Sequence, residues 1–198
     1  MNKQIITIVG GGSTFTPGVV KALLSKKEFP IQEIRVYDID KQRQEDISVI
    51  TKLVIDEMNP DVEFIITTDA EKAFKEADFV FSQIRTGKYA MCEKDEKIPL
   101  KHGAVGQETC GCGGMSYGLR SIFPVIEIID MAKKFAKPTH WILNYSNPAA
   151  IVAKACDVLR PNARIINICD MPVSLINLMS GILKVDRSKI RLSYQTVR

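Results

Sequence analysis

Six short runs of β-branched and aromatic residues recur along the chain, at Ile5–Val9, Ile34–Tyr37, Phe64–Thr67, Phe79–Ile84, Trp141–Leu143 and Arg164–Ile168. Helical patterns fill the gaps, at about Pro17–Ser25, Lys41–Glu57, Ala70–Lys75, Tyr117–Phe135 and Pro148–Leu159. Strands joined through helices pair in parallel by crossover, so this rhythm predicts an α/β fold, a Rossmann-like doubly wound parallel sheet. Pro172–Leu183 reads as a further helix, and Lys189–Tyr194 as the beginning of another strand. The stretch Thr86–Ser116 is glycine- and charge-rich and reads as a long irregular loop after the fourth strand, where substrate loops commonly sit.

Composition narrows the function classes. With 198 residues, 45% of them hydrophobic, the chain can bury one substantial core. Lys and Arg outnumber Asp and Glu by 27 to 23, but the excess is scattered and lacks interleaved aromatics, which argues against a nucleic-acid partner. No apolar run reaches the roughly 18 residues of a membrane span. Met1-Asn2-Lys3-Gln4 leads straight into a strand pattern, so a cytoplasmic protein without a membrane partner is expected. Five cysteines, an odd number without framework spacing, read as thiols. Two histidines, His102 and His140, are too few for a histidine-rich metal site.

The chemistry-bearing motifs fall where the strands end. Gly10-Gly11-Gly12-Ser13-Thr14-Phe15 follows the first strand and opens a helix, so that bare backbone can approach a pyrophosphate; Phe15 stands where a G-x-G-x-x-G fingerprint has its third glycine. Asp38 closes the second strand, where a carboxylate accepts a ribose diol and disfavours a 2′-phosphate. Together they predict an NAD site, with Lys41 and Arg43 nearby as charges favouring NADP. After the fifth strand, Asn144-Tyr145-Ser146-Asn147-Pro148 offers amides for a sugar or hydroxy-acid oxygen. The same spacing fits an Asx turn with Asn147 capping a helix and Pro148 at its first position.

Asn167-Ile168-Cys169-Asp170-Met171-Pro172 sets a thiol beside a carboxylate at the end of the sixth strand, suited to a soft metal ligand and a proton donor. A small buried cysteine and a helix-capping aspartate fit it equally well. Cys110-Gly111-Cys112-Gly113-Gly114 has no second Cys or His pair at zinc spacing and reads as a flexible loop, and Glu93, Asp95, Glu96 and Lys97 read as a solvated face.

Taken in order, Gly10 to Pro17, Asp95-Glu96-Lys97-Ile98-Pro99-Leu100-Lys101, Gly106-Gln107-Glu108-Thr109, Asn144 to Pro148 and Asn167 to Pro172 resemble glycoside hydrolase family 4. The Cys-Asp-Met-Pro form at residues 169–172 is similar to that of its 6-phospho-α-glucosidases. The resemblance implies a reaction in which NAD⁺ takes a hydride from C3 of the sugar, the C2 proton becomes acidic, and the glycosidic bond leaves by elimination. It implies Cys169 as a ligand of a divalent metal, Mn²⁺ being typical, Asp170 as the acid for the leaving oxygen, and Asn147 as a substrate contact. Gly10, Gly11, Gly12, Ser13, Thr14, Phe15 and Asp38 are implied to hold NAD. Asp170 must then be protonated near neutral pH, which calls for burial or a neighbouring anion.

Two positions depart from the family pattern: Cys92 stands for an arginine that contacts substrate, and Cys112 for a proline. The family's second protein metal ligand, catalytic tyrosine base and phosphate-binding arginine belong to a segment beyond those present here. The expected organisation is accordingly an NAD-binding domain over 1–188 and the first strand of a truncated second domain over 189–198. The expected function is hydrolysis of a 6-phosphorylated disaccharide such as maltose 6-phosphate, with these 198 residues inactive on their own and self-associating as a homo-oligomer. The alternatives are a non-catalytic NAD-binding remnant, a 2-hydroxy acid dehydrogenase of the lactate or malate type, and a 6-phospho-β-glucosidase.

Overall fold

A computed structural model describes residues 3–193. Its sheet is built from β1 (Gln4–Val9), β2 (Ile31–Tyr37), β3 (Glu63–Thr67), β4 (Phe79–Ser82), β5 (Trp141–Asn144) and β6 (Ile165–Asn167). All five pairings are parallel, in the order β3-β2-β1-β4-β5-β6. The helices are α1 (Thr16–Leu24), α2 (Lys41–Met58), α3 (Ala70–Phe74), α4 (Lys88–Lys101), α5 (Gly111–Phe135), α6 (Ala149–Leu159) and α7 (Met171–Leu183). The order reverses between β1 and β4, and at such a switch point the loops after the strands diverge and leave a crevice. This is the Rossmann-like sheet that the strand rhythm predicts.

Strand alternation builds two cores. On β1 and β2, Ile6, Ile8, Ile34 and Val36 point to one face, where Val20 of α1 and Ile55 of α2 cover them. Val9 points to the other face, with Val80, Ile142, Phe74, Val125, Ile129 and Val152 from β4, β5, α3, α5 and α6. That second face also carries a buried ion pair. Arg35 reaches Glu33 through Nε and Nη2 at 2.7 and 2.9 Å, and its Nη1 donates to the Lys75 carbonyl that ends α3. Thr7 Oγ1 bonds the carbonyl of Ala73 at 2.5 Å, so the last turn of α3 is satisfied from the sheet.

Thr86–Ser116 is not an irregular loop: α4 and the first turns of α5 occupy most of it. Hydrophobic periodicity missed α4 because only Asp95 and Pro99 of its residues are buried. Its outer face is held by the Glu93–Lys97 pair at i, i+4, and the Cys92 thiol donates to Glu96 at 3.5 Å. The glycines at the start of α5 allow α4 close to it, since a Cβ on Gly113 would meet the Asp95 carbonyl oxygen at 2.6 Å.

Residues up to Asn167 form one compact unit and those from Ile168 a second, so α7 belongs to the second unit rather than to the sheet unit. Within it, none of the residues of α7 is buried. The strand expected over 189–194 is not seen in its described part. Asp186 accepts from Ser188 N at 2.9 Å and closes a 3₁₀ turn at Arg187–Lys189; residues 190–193 carry no regular structure, and Tyr194 lies outside the described residues.

Because Glu33 and Arg35 keep only 7% and 9% of their side chains exposed, removing one partner leaves a buried charge. Glu33→Ala is expected to lower unfolding stability by about 3 kcal/mol, read from urea denaturation midpoints; a loss under about 1 kcal/mol would show that the pair is solvated.

Candidate functional site

A cavity of about 590 Å³ opens at the carboxyl ends of β1, β2, β4 and β5, and every residue lining it lies in the sheet unit. Its floor is the turn after β1. The backbone N–H groups of Gly10 and Gly11 both bond the Tyr37 carbonyl, at 2.9 and 3.0 Å, which draws the turn down onto the end of β2. Such an approach leaves no room for a side chain: a Cβ on Gly11 would stand 2.7 Å from Val36 Cβ.

From that contact the polar groups follow. Asp38 accepts from Gly12 N through Oδ2 at 2.9 Å and from Asp40 N through Oδ1 at 3.0 Å, so its carboxylate is fixed in place with lone pairs still open. Arg43 Nε donates to the Gly12 carbonyl at 2.7 Å. Asp40 caps α2 by accepting from Arg43 N at 3.2 Å and pairs with Lys88 Nζ at 2.7 Å; Lys88 and the Arg43 amide together hold its carboxyl below the usual aspartate range.

The expected site residues divide between places. Gly10, Ser13, Phe15, Asp38 and Asn147 line the cavity. Gly11 and Gly12 lie buried behind its wall, and Thr14 is exposed and outside the lining. Asn147 does not cap α6, whose N-cap is Pro148, and the Asn147–Pro148 peptide is cis. The Asx turn belongs to Asn144 instead, whose Oδ1 accepts from Ser146 N at 3.3 Å while Nδ2 donates to Asn167 at 2.8 Å.

Cys169 and Asp170 lie in the second unit, both exposed, with the thiol 3.9 Å from Asp170 Oδ1. Asp170 makes no side-chain capping bond to α7. It therefore lacks the burial that a neutral carboxyl at physiological pH calls for. Among the described residues no cluster of three or more His, Cys, Asp or Glu could hold a metal ion.

Sequence patterns did not reveal Gln83, Arg85 or Lys88. Gln83 sits just past β4, and its Nε2 reaches Thr16 Oγ1 at 2.8 Å and the Gly10 carbonyl at 3.3 Å. A polar residue directly after the fourth strand, beside the glycine turn at the switch point, is the signal that could have found it. Gln83 Oε1 and Ser146 Oγ are buried, have no hydrogen-bond partner, and belong to residues that line the cavity. Buried acceptors of this kind fit a polar ligand that donates to them. Arg85 lies with its guanidinium 5.3 Å from the Tyr89 ring centre and 5.6 Å from that of Tyr117, and pairs with Glu108 at 2.8 Å.

The sheet order and the crevice at its switch point define a Rossmann-like α/β protein. The chain belongs to glycosyl hydrolase family 4, whose model, described as "Family 4 glycosyl hydrolase", matches residues 5–185. It is 55% identical over 190 residues to a 6-phospho-α-glucosidase of Leptotrichia buccalis, covering 96% of this chain and 43% of that protein. Two crystal structures of 6-phospho-α-glucosidases from gut microorganisms align with it. One, in complex with NAD and glucose 6-phosphate, gives a TM-score of 0.93 at 49% identity over 96% of this chain and 45% of that one. The other, with NAD and Mn²⁺, gives 0.91 at 44% over 96% and 43%.

The chain thus spans less than half the length of these relatives. A 6-phospho-β-glucosidase of Escherichia coli is 32% identical over 94% of this chain and 42% of that protein. A lactate dehydrogenase from Trichomonas vaginalis shares the fold at a TM-score of 0.62 and 16% identity, over 95% of this chain and 52% of that one.

Burial raises the phenol of Tyr117 above the usual tyrosine value, with Arg85 partly opposing. A raised folded value favours the neutral phenol, so this contribution to stability is complete below about pH 10 and is lost as pH rises beyond it. Between pH 8 and about pH 10.5 the urea midpoint of the parent chain is expected to fall further than that of Tyr117→Phe; parallel losses would contradict this.

Proposed function

We propose that the sheet unit binds NAD and that the protein to which these residues belong hydrolyses 6-phospho-α-glucosides such as maltose 6-phosphate. The observation that carries the reading is the convergence, on one cavity, of the Gly10–Phe15 turn, the Asp38 carboxylate and Asn147. The glycine turn would hold the pyrophosphate on backbone N–H groups, Asp38 the ribose diol, and Asn147 the sugar. The unpartnered oxygens of Gln83 and Ser146 would accept hydrogen bonds from the bound molecules. When bound, the dinucleotide supplies a hydride acceptor, and the chain's part is to orient the sugar against it and keep water out.

The preference for an α-linked substrate rests on the higher identity to 6-phospho-α-glucosidases than to a β-specific relative, and on Asp170 and Met171. Asp170 is proposed as the acid that protonates the leaving oxygen, and Cys169 as one ligand of a divalent metal such as Mn²⁺. The described residues do not make a complete metal site, so no step is derived through the metal. We propose that the NAD-binding domain is built on the sheet unit, residues up to Asn167, in a cytoplasmic protein. No helix among the described residues is long and apolar enough to cross a membrane.

Calorimetry on the 198-residue chain should detect NAD⁺ binding, weakened about tenfold or more in Asp38→Ala, as expected when a charged acceptor for the ribose is lost. Cleavage of a nitrophenyl 6-phosphoglucoside with NAD⁺ and Mn²⁺ should be absent. Turnover at enzymatic rates would disprove the expected inactivity, and lack of NAD⁺ binding would disprove the dinucleotide site.

Met115, Leu119 and Phe123 form an i, i+4, i+8 row on α5 and are 56%, 59% and 70% exposed. We expect the isolated chain to self-associate through such surfaces. Light scattering that returned only monomer at high concentration would refute this.

A further inference from the structure

Four charges ring one edge of the cavity, and the way they are paired goes beyond the dinucleotide reading, on which the following rests. Asp38 and Asp40 stand at the end of β2, joined by the bond from Asp40 N to Asp38 Oδ1 at 3.0 Å. Arg43 is committed to the same edge, its Nε on the Gly12 carbonyl and its backbone N–H on Asp40. Lys88 comes from the far side of the crevice, at the first position of α4, and its ammonium reaches Asp40 Oδ2 at 2.7 Å. All four residues line the cavity. Lys41, the next cation along, is turned to Glu45 at 3.8 Å and does not line it.

Lys88 is held there by its backbone as well as by Asp40. It has φ of +55°, directly after Gly87 at +87°, and a lysine adopts the left-handed region only where its surroundings impose it. Its exposure does not follow from packing into a core: the side chain is 61% exposed, against 31% for Asp40. An exposed pair of this kind adds little to stability, so its consequence lies in which charge it presents to a ligand.

We propose that the Lys88–Asp40 pair sets the choice between NAD⁺ and NADP⁺. A carboxylate at the end of β2 that holds the ribose diol repels a 2′-phosphate, but a free cation beside it would offset that repulsion. Here the ammonium of Lys88 is paired with Asp40, two residues after Asp38 in the chain. While it stays paired, the edge presents the Asp38 carboxylate with no uncommitted ammonium beside it, and the 2′-phosphate is rejected. Cofactor choice is then a property of two residues on opposite walls, and Asp38 alone does not determine it.

The test measures dissociation constants for NAD⁺ and NADP⁺ by calorimetry, with NADP⁺ read by competition where it binds weakly. Asp40→Asn keeps an oxygen for the α2 cap and releases Lys88, so the ratio of the NADP⁺ to the NAD⁺ constant should fall about tenfold, as expected for a new charge-assisted phosphate contact. Lys88→Gln leaves Asp40 as an unpaired anion, so the same ratio should rise. In the double variant the fall should disappear. Misfolding would not move the ratio in opposite directions in the two single variants. A ratio unchanged in Asp40→Asn, or a fall that persists when Lys88→Gln is added, overturns the proposal while the dinucleotide reading stands. If the parent chain binds no NAD⁺, the dinucleotide reading fails and this one with it.

Discussion

The distance between the turn after β1 and the end of β2 governs the rest of the crevice. Two successive N–H groups bond one carbonyl, that of Tyr37, and this is possible only because position 11 carries no side chain. With the turn drawn down, Gly12 N meets the Asp38 carboxylate and the Gly12 carbonyl meets Arg43, so both peptide groups of the turn are satisfied by the second strand and helix. The parallel register then brings β4 to the other side of β1, where Gln83 N bonds the Val9 carbonyl at 3.0 Å and its side chain ties the start of α1. A cavity lined by backbone and fixed carboxylate is the outcome of that one close approach. A larger side chain at Gly11 would push the turn away and unpair the whole set.

How much of this was legible in the sequence depends on the kind of signal each part leaves. β1 is an apolar β-branched run buried on both faces from Ile6 to Val9, and short β-branched or aromatic runs mark β2 and β4, so the strands and most of the helices between them were apparent. Asp38 was legible because it follows strand, glycine turn and helix in the order in which a ribose-binding acid falls. α4 was not, since a helix whose outer face is charged and whose inner face buries only Asp95 and Pro99 has no apolar stripe to find. Asn147 misled for a different reason. Asx capping and ligand binding ask for the same residue type, and the cap in fact falls at Pro148 with the Asx turn three residues before Asn147, at Asn144. The Lys88–Asp40 contact joins residues far apart in sequence across the crevice, and no local pattern announces such a pair.

A parallel sheet with a glycine turn serves dehydrogenases and glycosidases alike, so the sheet itself does not distinguish them. What distinguishes this chain lies outside the strands. The blocks that carry the family resemblance beyond the glycine turn are in α4, in the approach to α5, and in the segments after β5 and β6. Cys92 lies in α4, and its thiol is held by Glu96, with burial first and Glu96 second raising it above the usual cysteine value. Arg85, stacked on Tyr89 and Tyr117, is a cation of the cavity wall.

The division into two units bears on the proposed acid. Binding of a dinucleotide asks for donors and acceptors fixed before the ligand arrives, and the sheet unit has them in Asp38, the glycine turn and the unpartnered oxygens of Gln83 and Ser146. Proton transfer to a leaving oxygen asks for something else, a carboxyl kept neutral by burial or by an adjacent anion. Asp170 stands exposed beside a thiol in the second unit and has neither condition from the described residues around it. The polar groups fixed around the cavity and the exposed Cys169–Asp170 pair therefore belong to different units.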